Sequence, residues 1–225
     1  MLTFNSRLAI RHLSLMTSWA KSRIFTYAGR RDEAEAKFIR GECAMLTGSS
    51  ASYAEILRSA SFRFGVARLP YYDDINQAPF NTSMGGAALW TMAGKKPAEY
   101  KGAAKFLAFV AKPEQQAYWH QNTGYLPVSP AAYEITKKAG FYEKYPGTDV
   151  AIAQMVNKGK PTTYSRGVRL GNYAQIRAVI DEEIEEAFAF KKAPKQALDD
   201  AAQRGNEILK RFQQGNAPAP AKGHR

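Results

Sequence analysis

The chain has 225 residues, enough for one or two domains with a buried core, and its 45% hydrophobic and 23% charged residues are those of an ordinary globular composition. No run approaches the roughly 20 apolar residues that span a bilayer. The formal net charge of +12 favours anionic partners such as phosphates, nucleic acid or an anionic membrane; the Lys and Arg residues are scattered without a basic block or an aromatic–basic RNA-binding motif, so a solvated basic surface accounts for the charge as well.

The N-terminal MLTFNSRLAIRHLSLMTSWAK spreads Arg7, Arg11 and His12 through its length and lacks the basic start, unbroken apolar stretch and cleavage site of a signal peptide. Residues 5–22 read instead as an amphipathic helix with Leu8, Leu15 and Trp19 near one face and His12 between them. Residues 31–40 read as a second helix, with Asp32 and Glu33 in its first turn and Gly41 as its stop. A strand is expected at 43–47, then a Gly/Ser turn and a helix from Ser50 to Ser59. FRFGVARLP and GGAALWTMAG (85–94) read as further strands.

Helices follow. EYKGAAKFLAFVAK places Ala103, Phe106, Leu107 and Val110 on one stripe, and Pro113 opens the next helix. TGYLPVSP is a rigid loop, SPAAYEITKKAG a helix ending at Gly140, and DVAIAQMV a short one within a Pro/Gly-broken stretch. After an Asn172 cap, NYAQIRAVIDEEIEEAFAF carries Ile176, Ile180, Ile184 and Phe188 at helical spacing, with DEEIEE as its solvated face. A last helix at 195–213 turns Leu198, Ala202, Ile208, Leu209 and Phe212 inward, and 214–225 is a disordered tail by composition. The predicted class is helix-rich α/β with a small mixed or parallel sheet.

Chemistry-bearing motifs are few. Cys43 is the single cysteine, which excludes an intramolecular disulfide and a Cys-rich metal site, and its simplest role is that of a small buried hydrophobe. His12, His120 and His224 are far apart in sequence, with no HExxH spacing, so no metal or cofactor is expected. The turn TGSSAS between an apolar run and a helix has the layout of an anion site, yet it carries no Walker lysine, no GxGxxG and no GxSxG elbow. Taken alone, Ser49 is a helix cap.

Three segments in order shift that balance. FIRGECAML (38–46) with the following turn and Tyr53, the stretch NTSMGGAALWTMAGKKPAEYKGAAKFLAFVAKPEQQAYWHQNTGYLPVSPAAY, and RGVRLGNYAQIR (166–177) resemble the extracytoplasmic solute-binding proteins of carbohydrate-type ABC importers, and among them the members that bind sn-glycerol 3-phosphate. The resemblance covers almost the whole chain to about Phe212. It implies a type II periplasmic-binding-protein-like fold and a non-enzymatic role: capture of an organophosphate, glycerol 3-phosphate or a glycerophosphodiester, for delivery to ABC permease subunits in the membrane. It also implies a periplasmic location, a monomer when full length and no nucleic-acid partner.

Four ligand contacts carry over. Ser49 resembles a serine that binds the ligand's polar head, Gly86 a glycine whose N–H meets it, Tyr125 a tyrosine whose hydroxyl does so, and Arg177 the phosphate-binding arginine. Taken singly, the four read as a cap, a turn glycine, a core tyrosine and a surface charge; jointly, with the resemblance, they read as a site. Two departures from the family pattern stand out: Gly48 and Ala51 interrupt a run of serines, and the family is about twice as long. The expectation is a C-terminal half, with 1–80 and 127–213 belonging to the second lobe and 81–126 resembling a returning piece of the first, so that strand 86–94 lacks sheet partners. With no signal peptide in this stretch, export of such a fragment is doubtful, and binding by it alone is expected to be weak. A basic nucleic-acid-binding module or a non-functional gene fragment are the alternatives.

Overall fold

Ser6, Pro97, Pro113, Ser129 and Pro194 each stand where a helix begins, and the helices they open carry the fold. Ser6 Oγ accepts from the Ala9 N–H and Ser129 Oγ from the Ala132 N–H, while proline at a first helical position gives up a hydrogen bond that would not have formed. The computed structural model describes residues 1–157, 165 and 167–216. Its elements are α1 (Arg7–Lys21), α2 (Glu35–Ile39), a 3-10 turn (Ser50–Ser52), α3 (Tyr53–Ser59), α4 (Pro97–Val110), α5 (Pro113–Thr123), α6 (Pro130–Lys138), α7 (Phe141–Lys144), α8 (Val150–Met155), α9 (Tyr173–Phe188) and α10 (Pro194–Gly215). They fall into two units: Met1–Arg31 with Val168–Arg225, and Asp32–Gly167.

In the first unit α9 and α10 pack along one another and α1 lies on both. The inner face of α10 is Ala197, Leu198, Ala201, Ala202, Gly205 and Ile208, mostly small residues that let the backbones approach. Gly205 leaves room for the Leu2 side chain, whose Cδ1 would lie 2.5 Å from a Cβ there. Two apolar clusters result, Leu13 with Ala187, Ala197 and Leu198, and Ile176 with Val179 and Ile208. Ile176, Ile180, Ile184 and Phe188 all join them, as their spacing predicts.

Three expectations in this unit are corrected. The buried positions of α1 are Leu13 and Thr17, whereas Leu8 and Trp19 are exposed; the helix is rotated because Leu13 meets the small side chains of α9 and α10. DEEIEE is not a solvated face: Glu183 is 4% exposed and accepts from Lys192 Nζ (2.5 Å) and Arg204 (2.7 Å), Glu182 pairs with Arg204 (2.6 Å), and Glu185 takes a two-pronged bond from Arg30 and a third from the Tyr27 hydroxyl (2.9 Å). Cations from α10, its preceding loop and the segment after α1 meet these acids, which helical periodicity of α9 alone does not reveal. Finally, α10 continues through residues 214 and 215, part of the expected tail, whose residues 217–225 lie outside the described ones.

In the second unit the expected helices are present. The helix foreseen at 31–40 is confined to α2, which Gly41 ends at φ +74°. The core lies where α5 meets α6, around Ala117, His120, Ala132 and Thr136. The strands expected at 43–47, in FRFGVARLP and at 85–94 are absent: no strand occurs among the described residues. A strand exists only against another strand, and two of these stretches, with the segment between them, bond to other elements. The Leu69 N–H donates to Gln154 Oε1 (2.5 Å), the Thr82 N–H to the Gln154 carbonyl (3.2 Å), and the Met92 carbonyl accepts from the Tyr100 hydroxyl (3.2 Å). Helix α4 buries no residue; on its predicted inner stripe Ala103 and Val110 are half-buried while Phe106 and Leu107 stay exposed.

Candidate ligand-binding site

The turn Thr47–Ser52 is built around Ser49. Its Oγ accepts the Ala51 N–H at 3.2 Å, capping the 3-10 turn that leads into α3. Capping uses the oxygen as an acceptor and leaves the hydroxyl hydrogen able to donate, so the cap is compatible with a contact to an anion. Beneath it, buried Ser52 donates to Glu35 Oε1 and ties the turn to α2.

Tyr125 follows α5. Gly124 closes that helix in the left-handed conformation (φ +75°), its N–H reaching the His120 carbonyl at 3.1 Å. A Cβ on Gly124 would lie 2.7 Å from the Ser50 carbonyl oxygen, so backbone touches backbone between the Ser49 turn and the Tyr125 loop. The Tyr125 N–H donates to Thr123 Oγ1 (3.2 Å), its carbonyl receives His120 Nδ1 (2.5 Å), and its ring is exposed.

Gly86 has φ +135°, a conformation open only to glycine, and a Cβ there would sit 3.8 Å from Tyr125 Cε1. Ser49, Gly86 and Tyr125 therefore occupy neighbouring segments of the second unit. A cleft of about 380 Å³ opens beside them, lined by Ser49, Tyr53, Phe64, His120 and Tyr145 among others; Gly86 and Tyr125 stand outside its walls. Arg177 belongs to the first unit, on the exposed side of the second turn of α9, where buried Ile176 and Val179 anchor the helix. Arg166, at the head of the motif that includes it, lies outside the described residues.

Sequence reading passed over His120, noting it only as one of three separated histidines. It is 2% exposed; its Nδ1 meets the Tyr125 carbonyl and its Nε2 the Tyr142 hydroxyl at 3.1 Å. Burial pushes its pKa below the ordinary 6.5, and burial likewise raises that of Tyr142, so both are neutral near pH 7. The available signal was the spacing: a histidine in the last turn of a helix that a left-handed glycine closes can fold back onto the carbonyl that follows. Among the described residues no cluster of three His, Cys, Asp or Glu is placed to hold a metal, and no helix is long and apolar enough to cross a membrane.

The profile of the bacterial extracellular solute-binding proteins matches residues 9–150, more than half of the chain. The chain belongs to this family. Among curated solute-binding proteins it is 53% identical over 213 residues to the sn-glycerol-3-phosphate-binding periplasmic protein UgpB of Pectobacterium atrosepticum, a match covering 95% of this chain and 48% of that protein. The UgpB of Yersinia enterocolitica is 52% identical over 215 residues, covering 96% and 49%. The chain thus spans about half the length of the curated relatives it matches. Of solved solute-binding proteins, UgpB from Mycobacterium tuberculosis in complex with glycerophosphocholine superposes with a TM-score of 0.74 at 26% identity over 94% of this chain and 51% of that one. The cyclic alpha-maltosyl-1,6-maltose binding protein of Arthrobacter globiformis does so with a TM-score of 0.62 at 21% identity over 93% and 50%. The fold is that of a periplasmic solute-binding protein, its strands absent from the described residues of this span.

Proposed function

We propose that this chain forms part of the solute-binding subunit of an ABC importer, and that Ser49, Gly86, Tyr125 and Arg177 are contacts for sn-glycerol 3-phosphate or a glycerophosphodiester. The observation that carries the reading is the neighbourhood of Ser49, Gly86 and Tyr125 in a chain about half identical to proteins named for binding sn-glycerol 3-phosphate. The chemistry suits a dianion: a serine hydroxyl, a glycine N–H that no Cβ shields and a tyrosine hydroxyl all donate, and a guanidinium grips phosphate oxygens in a two-pronged fork. Nothing in this set transfers a group, so the role is capture and delivery to a membrane permease rather than catalysis.

In this reading residues 81–126 return to a first lobe, and the chain supplies only part of the clamp, so its own affinity is weak. Titration of the chain, labelled with ¹³C on its tyrosine rings, with millimolar sn-glycerol 3-phosphate tests it. A saturable displacement of the Tyr125 resonance, abolished by Arg177→Ala, is expected. No displacement, or one that Arg177→Ala leaves unchanged, refutes the site.

A further inference from the structure

We propose that His120 is a positioning residue for ligand recognition: fixed in the Nδ1–H tautomer, it sets the direction in which Tyr125 presents its hydroxyl. The inference rests on the reading of Tyr125 as a ligand contact.

The tautomer follows from the partners. The Tyr125 carbonyl can only accept, so the Nδ1 that meets it at 2.5 Å carries the hydrogen. The neutral ring then has a lone pair at Nε2, and the Tyr142 hydroxyl, 3.1 Å away, donates to it. The chain of bonds runs from the Tyr142 O–H through the imidazole to the Tyr125 peptide, and every member is satisfied. The ring has little freedom to turn. It is 2% exposed and its centroid lies 5.5 Å from that of Phe141 and 5.7 Å from that of Tyr142, while Tyr142 packs in turn on Tyr133 of α6 at 5.4 Å. Gln121, beside it, donates to the buried Thr136 hydroxyl of α6 at 3.2 Å.

Tyr125 is thereby held on both sides of its Cα. Its N–H is fixed by Thr123 Oγ1 and its carbonyl by His120, while Pro127 limits the backbone beyond it. A small rotation of the 125–126 peptide is levered along the whole tyrosine ring to its hydroxyl, so the bond to His120 controls a donor at the surface from within the core. Holding a donor in place before the ligand arrives raises affinity by removing an ordering cost at binding.

A merely structural histidine would make the same packing contacts, and two substitutions separate the roles. His120→Asn places an amide N–H near the Nδ1 position, keeping the bond to Tyr125 and losing the one to Tyr142. His120→Gln reaches toward the Nε2 position and does the reverse. The ¹³C-tyrosine-labelled chain is titrated with sn-glycerol 3-phosphate, and the Tyr125 resonance, assigned through Tyr125→Phe, is followed.

If His120 positions Tyr125, both variants lower Tm by similar amounts; His120→Asn stays within about threefold of the parent dissociation constant, His120→Gln weakens it about tenfold or more, and the free-state Tyr125 resonance moves only in His120→Gln. Equal binding losses in the two variants, or no loss in His120→Gln, overturn the inference. If the parent shows no saturable change with the probe, the proposed function fails, and the free-state resonance alone then decides whether His120 orients Tyr125.

Discussion

Gly124 couples two of the candidate contacts through the backbone, and its replacement should be felt in both. Gly124→Ala adds a Cβ 2.7 Å from the Ser50 carbonyl oxygen and places an L residue at φ +75°, so a loss of about 1–3 kcal/mol is expected from urea unfolding. Gly86→Ala has the more strained backbone but meets only the Tyr125 ring at 3.8 Å, on an exposed segment that can relax; a smaller loss is expected. A larger loss at Gly86 than at Gly124 would contradict the packing described. His120 adds a pH dependence. Its folded pKa lies below the ordinary 6.5, so the unfolded chain binds its proton first. The stability from keeping it neutral is fully present above pH 6.5 and falls as acid approaches the lowered folded value. Denaturation midpoints measured across that window should fall less in His120→Asn than in the parent. The four candidate contacts came from the family resemblance, carried by segments of adjacent residues; read singly, Ser49, Gly86, Tyr125 and Arg177 are a cap, a turn glycine, a core tyrosine and a surface charge. His120 did not, because its role depends on Tyr142, twenty-two positions away, and on burial, neither of which a lone histidine in a sequence displays.

At the scale of elements, α9 shows what periodicity captures and what it misses. Ile176, Ile180, Ile184 and Phe188 were legible as an inward stripe since a helix repeats every 3.6 residues whatever it packs against. The acids between them were not, because their partners lie on other elements: Arg204 on α10, Lys192 just before it and Arg30 after α1. Strands failed for a related reason. Their signal is local, but their existence depends on a partner strand, and the segments after α3 bond to Gln154 of α8 and to Tyr100 of α4 instead. The ion network makes its own prediction. Glu183→Ala removes a buried carboxylate and leaves Lys192 and Arg204 with their remaining acids, Asp200 and Glu182. Both cations are partly solvated, so the cost should be that of lost charge-assisted bonds, roughly 1.5–3 kcal/mol by denaturant melts. Glu183→Gln should recover part of it. A neutral effect of Glu183→Ala would mean that the pairing only decorates a surface.

For the molecule as a whole, the informative feature is apolar surface in the second unit. Trp90 is 89% exposed, Leu89 and Met92 are exposed with it, and on α4 so are Phe106, Leu107 and Phe109. The two stretches are neighbours: the Tyr100 hydroxyl accepts from the Lys95 N–H and donates to the Met92 carbonyl. Single exposed leucines are ordinary, but a tryptophan and two phenylalanines exposed on neighbouring stretches are more than proteins normally leave uncovered. The amphipathic stripe of α4 is expected from its spacing, and its lack of cover only from the resemblance, which makes residues 81–126 a returning piece of the first lobe. The expected consequence is self-association of the chain as described, rising with concentration and with salt, since salt screens the mutual repulsion of a +12 chain without weakening apolar contact. Because α4 buries no residue, Trp90→Ser with Phe106→Ser and Phe109→Ser should reduce that association while leaving Tm nearly unchanged. Light scattering coupled to size exclusion, with a thermal melt of each protein, measures both quantities. A parent that stays monomeric in high salt, or a triple variant that associates as strongly as the parent, would show that this surface is not what drives the chain to associate.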